Sequence, residues 1–414
     1  MTDNSGTGAT SPDGRDRSTA RSRGSRDDKP ELTRVTAGTP DALLAIVPHL
    51  LGFYPSRSLV VLSLGGKRSR VRLTFRYDLP DPPDAELAAD IADHMASVFR
   101  RQRLRMGVLI GYGPAPLVAP VLATAVDRLL TDDVELLEVL RADSGRYWSV
   151  MCDDPACCPA EGRPFDPGSH PAAAAMSQAG FGALPDRAAL ARTLLPPAGS
   201  AETIRQATRA AEQRLCDLGS KYWADGGGDA RQLTATTGRA AVRRAIRRYR
   251  SGGSAASGDE LAWLAVLLAD LRVRDDAWAR MDPEHHEAHC RLWTDVLSGA
   301  APEYVPAPAS LLAFTAWQSG NGGLASVAID RALSARPGYS MALLLGEALQ
   351  AGLPPSAARL PMTPAEVAAS YAAQEAGPGR AKRTGARQSA SARPGTAGAR
   401  SGSRTSGASK RPSG

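Results

Sequence analysis

No apolar run in this sequence approaches a membrane-spanning length. The longest strongly apolar stretch, Leu261 to Ala269, falls far short of the ~20 residues a spanning helix needs. An apolar signal core is equally missing from the first residues, MTDNSGTGATSPDGRDRSTARSRGSRDD, which are polar throughout. Both absences lead to the expectation of a soluble, cytoplasmic protein with no membrane partner. Cysteine is sparse too, five in 414 residues, which excludes a disulfide framework and favours free thiols or a metal. Aromatic residues make up only 5% of the chain, and most of its tryptophans fall in predicted helices or strands, where packing is their task.

Acidic residues are missing from one place in particular. The segment Gly377 to Gly414 carries nine basic side chains and no acid, whereas the whole chain nets +7, with a pI near 9.3. Residues 1–30 hold six bases and five acids, so 31–376 is left mildly acidic, at −3. The basic pI is thus a property of a tail. With no aromatic ring for base stacking, that tail licenses only weak, nonspecific polyanion binding.

Residues 1–30 and 377–414 are built from Ser, Gly, Ala, Thr and Arg. They cannot bury enough apolar surface to offset ordering entropy, so both read as disordered tails. Between them the periodicity changes once. An α/β domain is expected over 31–170 and an all-α, helical domain over 171–376.

Ser58–Leu64 is nearly continuously apolar and rich in β-branched residues, as a strand buried on both faces should be. After Gly65-Gly66, Val71, Leu73, Phe75, Tyr77 and Leu79 alternate with Arg70, Arg72, Thr74, Arg76 and Asp78. That pattern makes a half-buried antiparallel partner, and the two strands form a hairpin. Asp84 caps a helix with an apolar stripe of Leu87, Ile91, Met95 and Val98. Met106–Tyr112 reads as a second buried strand, Pro116–Leu130 as a helix, and Leu136–Leu140 as a strand. The last of these leads through Asp143-Ser144-Gly145 into Arg146–Met151. The sum is a mixed β-sheet with covering helices.

Helical segments are expected over 187–195, 201–218, 237–250, 259–273, 283–297, 309–319, 324–335, 339–351 and 364–373. Short connections imply antiparallel neighbours. Ala325, Ile329, Ala332 and Pro337 have the spacing of the second helix of a tetratricopeptide-like hairpin, with no second copy at a repeat distance.

Two stretches together, IVPHLLGFYPSRSLVVL (46–62) and RYWSVMCDDPACCPAEG (146–162), resemble an actinobacterial family whose domain is of unknown function, family 4192. The resemblance covers about residues 32–375. It implies an intracellular protein with an α/β part and a helical part, and it implies no activity.

The richest constellation for chemistry is Cys152-Asp153-Asp154-Pro-Ala-Cys157-Cys158-Pro-Ala-Glu161, with His170 following in the same loop. Three thiolates and an imidazole would complete a tetrahedral Cys₃His zinc site. Against it stand the missing C-x₂-C spacing and the adjacency of Cys157 and Cys158, which would have to splay around one ion. The plain alternative is a structural turn in which Asp153 and Asp154 accept backbone N–H bonds. A redox or nucleophilic thiol is the third reading. The loop follows a strand, and ligands of α/β sheets gather outside carboxyl strand ends.

Weaker motifs fall away on spacing. His285 and His289 stand at i and i+4 like a zincin helix, but the required Glu is displaced by His286, which leaves a polar helix face. Gly65-Gly66-Lys67-Arg68-Ser69 joins two strands and lacks the upstream glycine of a phosphate loop. Gly111-Tyr-Gly113 has Pro116 where a dinucleotide fingerprint needs its third glycine. Arg70, Arg72 and Arg76 along the strand, and Arg239, Arg243, Arg244, Arg247, Arg248 and Arg250 on a helix, could contact phosphates or form solvated faces paired with acids such as Asp275 and Asp276. The function that follows from sequence is a non-enzymatic protein-interaction or regulatory module, its helical domain presenting a groove to a protein partner. The alternatives are a cytosolic enzyme or small-ligand sensor using the loop at 152–161, and a nucleic-acid accessory protein.

Overall fold

The protein is described by a computed structural model over residues 38–376, apart from 66–69, 227–228, 255–256, 355–356 and 358–361. The tails expected at 1–30 and 377–414 lie outside the described residues, as do Gly66–Ser69 of the first turn.

The N-terminal part runs α1 (Pro40–Leu51), β1 (Ser58–Gly65), β2 (Arg70–Asp78), α2 (Ala85–Gln102), β3 (Met106–Tyr112), α3 (Ala115–Thr131), β4 (Glu135–Asp143), β5 (Arg146–Ser149) and β6 (Arg163–Pro164). The strands form one mixed sheet in the order β2-β1-β3-β4-β5-β6, in which only β3 and β4 pair in parallel. Each strand's composition matches its place. β1, hydrogen-bonded on both edges, is buried from Ser58 to Leu64, whereas the edge strand β2 is half-buried from Leu73 to Tyr77 and exposed at both ends. Ser144 and Gly145 both take positive φ (49° and 72°), the conformation that closes a tight hairpin between β4 and β5.

The pleat sends alternate side chains to opposite faces. Leu59, Val61, Leu109 and Val139 pack under α2 and α3, while Val60, Leu62, Val108, Ile110 and Leu140 face the other way, toward α1. Asp84 does cap α2, its carboxylate accepting from the N–H groups of Glu86 and Leu87.

The helical part comprises α4 (Pro171–Gln178), α5 (Arg187–Arg192), α6 (Ala201–Ala224), α7 (Ala230–Arg250), α8 (Gly258–Leu267), α9 (Leu271–Ala279), α10 (His286–Ser298), α11 (Pro306–Gln318), α12 (Gly322–Ala335), α13 (Ser340–Gln350) and α14 (Pro364–Ala376). The single helix expected over 259–273 is two helices. The first ends at Leu267, and Asp270 caps the second, its carboxylate accepting the N–H of Arg272 at 2.8 Å. α11 is buried from Pro306 to Trp317 and packs against α10, α12 and α13. Ala325 and Ala332, the small residues of the hairpin pattern, are fully buried on α12.

One cluster of buried residues runs from the α1 face of the sheet through Leu190 and Leu194 to Trp293, Leu311 and Ile329, so the helical part completes the core that the sheet begins. The two parts meet closely at α12. Gly323 lies so near the end of α1 that a Cβ there would stand 1.9 Å from the carbonyl oxygen of Leu51, a contact only glycine permits. Among the described residues no helix is long and apolar enough to cross a membrane.

Candidate metal centre

The β5–β6 connection carries the three clustered cysteines. Asp154 organises it: its carboxylate accepts the Ala156 N–H at 2.9 Å, and its carbonyl accepts those of Cys157 and Cys158 at 3.1 and 2.7 Å. This tight turn folds residues 157 and 158 back over 154. The Sγ atoms of Cys152, Cys157 and Cys158 consequently lie within 4.8 Å of one another. Adjacency of Cys157 and Cys158 does not prevent convergence, because the turn aims both thiols at Cys152.

A tetrahedral ion with Zn–S bonds near 2.3 Å needs sulfurs about 3.8 Å apart, within reach of this cluster by small side-chain rotations. The frame around it is firm. Arg146 donates to the carbonyl of Gly162 at 2.8 Å, Trp148 Nε1 to that of Ala160 at 3.0 Å, and Arg141 stacks on the Trp148 ring at 3.4 Å. Gly162, with φ +77°, lies against the indole, where a Cβ would come within 2.5 Å of the ring.

The electrostatics favour one thiolate. The Asp154 backbone N–H and the thiols of Cys158 and Cys157 hydrogen-bond Cys152, holding its pKa below the usual thiol range. Cys158, as donor to Cys152, is pushed up to about 11. Arg163 Nη1 stands 3.3 Å from the Cys157 carbonyl and 3.9 Å from its sulfur, a positive charge beside a site that would carry −1 with three thiolates and a divalent ion.

His170 stands outside the thiol cluster: it is the N-cap of α4, its Nδ1 accepting the Ala172 N–H at 3.1 Å. Asp153 and Glu161 are exposed, and Glu161 contributes only its carbonyl, to Arg146. The loop also differs from the strand-end rule. β5 runs antiparallel to β4, pairing Arg146 with Asp143 and Ser149 with Leu140, so its end points toward the amino ends of the parallel pair β3–β4.

Other motifs take packing or ion-pair duties. A Cβ on Gly111 would lie 2.1 Å from Val118 Cγ1, so this glycine lets α3 close on β3. On α7, Arg248 chelates Glu260, Arg250 pairs with Asp282 at 3.3 Å, and Arg239 approaches Asp276 at 4.0 Å, whereas Arg243, Arg244 and Arg247 are exposed. His285 bonds Asp282 at 2.7 Å. His289 is buried, neither ring nitrogen has a hydrogen-bond partner, and burial lowers its pKa to about 4.

A family model described as a domain of unknown function (DUF4192) matches residues 40–356, from α1 past the end of α13 and through the three-cysteine loop. The chain belongs to this family. No curated protein and no solved structure matches it. In this DUF4192 member the match spans the sheet and most of the helical part alike.

Proposed function

We propose that this DUF4192 protein is a non-enzymatic regulatory module that holds one thiophilic metal ion, zinc in the first instance, between Cys152, Cys157 and Cys158. The convergence of three sulfurs within 4.8 Å on a turn organised by Asp154 carries the reading. Thiolates select zinc and other soft ions over hard ones. Three protein ligands leave a fourth position for water, a carboxylate from the exposed loop, or an incoming ligand. In this reading the ion ties the β5–β6 loop to the sheet edge and makes the loop responsive to metal supply. The helical part presents the surface for a protein partner. Residues 377–414 add weak, salt-sensitive attraction to polyanions. A cytoplasmic, actinobacterial setting suits free thiols kept reduced.

Metal analysis of protein purified under reducing conditions and passed over a chelating column tests the proposal. It predicts one zinc per chain in the wild type and none in Cys157→Ser; metal well below stoichiometry in both, after zinc has been added back, would sink it.

One observation favours a second reading, a cytosolic enzyme or small-ligand sensor using the same loop. Cys152 is a lowered-pKa thiol in a surface loop, the setting of a nucleophilic cysteine. Rapid alkylation of Cys152 by iodoacetamide near neutral pH, equally fast with and without zinc, would favour that reading over the metal.

A further inference from the structure

The outer edge of β2 forms the floor of a cleft of about 790 Å³, at the opposite end of the sheet from the cysteine loop. The end of α1 closes one side with Leu51 and Phe53, and α2 closes the other with His94 and Val98. Trp317 at the end of α11 and Gly352 beyond α13 roof it. The Gln102 side chain reaches the carbonyl of Ala351 at 3.4 Å, tying the roof to α2. β2 pairs only with β1, so its outer backbone groups face this space.

Two kinds of chemistry meet in the cleft. Phe53 and Trp317, which belong to the α1-side core, supply flat apolar walls on the arginine face of β2, while Phe75 and Tyr77 lie on its other face, against α2. Arg72 and Arg76 supply positive charge from the floor. Arg72 is exposed, and among the described residues no carboxylate lies within ion-pair distance of it. Arg76 is mostly buried. It stacks on Phe53 at 5.6 Å and keeps its Nε buried without a hydrogen-bond partner. Among the described residues its one ionic partner is Asp78, a carboxylate 80% exposed and readily exchanged for another anion in water. The third arginine of the cleft, Arg187, is held by Asp330.

We infer that this cleft binds a small organic anion with a flat apolar body, its acidic group on Arg72 and Arg76 and its body against Phe53 and Trp317. The volume lies in the range of about 300–1,000 Å³ that small-molecule sites occupy. Enclosure on three sides distinguishes it from an open strand edge awaiting a peptide. The Arg76 guanidinium, paired through Nη2 only with the exposed carboxylate of Asp78 among the described residues, gives an acidic group a cation it can engage by exchange. The inference stands apart from the metal centre and holds whether or not the cysteines bind an ion.

The test uses the full chain and 8-anilinonaphthalene-1-sulfonate, an aromatic anion whose fluorescence rises in apolar surroundings. Saturable binding at one site is expected. The Arg72→Leu/Arg76→Leu double variant should bind about tenfold more weakly, as should the uncharged analogue N-phenyl-1-naphthylamine with the wild type. Thr74→Trp, which fills the floor, should abolish binding. Melting curves for each variant identify any that unfold, and Arg72→Leu alone, an exposed change, retains a measurable part of the effect. Nonsaturable binding, equal affinity for the uncharged analogue, or unchanged affinity in the folded arginine variants would overturn the inference. So would binding of an extended acidic peptide that the naphthalene sulfonate fails to displace.

Discussion

His289 offers a direct test of how the helical part is held together. Its ring is buried on α10, and neither nitrogen finds a hydrogen-bond partner, although Asp282 lies 3.9 Å from Nε2. Burial is the largest cause of its low pKa, with Arg250 and His285 adding to it and Asp282 opposing. The folded pKa is about 4 against an ordinary 6.5. A histidine kept neutral by folding contributes stability that is fully present above pH 6.5 and is lost as the pH falls toward 4, because the unfolded chain binds the proton first. At about 1.4 kcal/mol per pH unit between the two values, the loss is roughly 2 kcal/mol by pH 5 and about 3 kcal/mol in the limit. Urea unfolding followed by far-ultraviolet circular dichroism between pH 8 and 4.5, with EDTA present to remove any metal linkage, measures it. The His289→Leu variant should lose most of this pH dependence. Equal stability at pH 5 and 8, or the same slope in His289→Leu, would refute the reasoning.

Three further outcomes follow from close contacts and from the thiol cluster. Gly323→Ala places a methyl against the Leu51 carbonyl oxygen and should lower stability by roughly 2 kcal/mol, read as a fall in melting temperature; an unchanged value would mean that α12 does not pack on α1 as described. Gly162→Ala combines a positive φ with a clash against Trp148, so it should destabilise by about 1–3 kcal/mol and weaken zinc binding with it; full zinc affinity in the folded variant would separate the loop from its frame. Since Cys158 is held protonated, with a pKa of about 11, zinc uptake should release protons and tighten as pH rises from 6 to 8, measured by competition with a chromophoric chelator; pH-independent affinity would contradict thiolate ligation.

Much of the sheet was legible because alternation is a local signal. The Val71 to Leu79 alternation announces a strand, although residues 73–77 are half-buried on both faces, and the Asp143-Ser-Gly turn announces the hairpin that follows. What failed were signals without contrast. α1 carries its apolar residues all round, with Pro48 inside, so no stripe marks it. α4 is a short alanine-rich helix. The apolar pattern runs unbroken across Asp270, and only the capping bond reveals that the chain starts a new helix there.

The cysteines were visible as residue types, but their convergence depends on the Asp154 turn, which spacing rules for metal sites do not encode. His170 is their neighbour in sequence, but its ring is engaged in capping α4. The cleft on β2 had no sequence signature beyond its arginines. Its walls come from residues as far apart as Leu51 and Gly352, brought together only when the helical part closes on the sheet edge.

The most direct test of the metal centre is X-ray absorption at the zinc edge on the full chain loaded with one equivalent of zinc. Three sulfur neighbours at about 2.3 Å, with one lighter ligand, are predicted, falling to two sulfurs in Cys157→Ser. A shell of oxygen and nitrogen alone in the wild type would contradict the three-thiolate account.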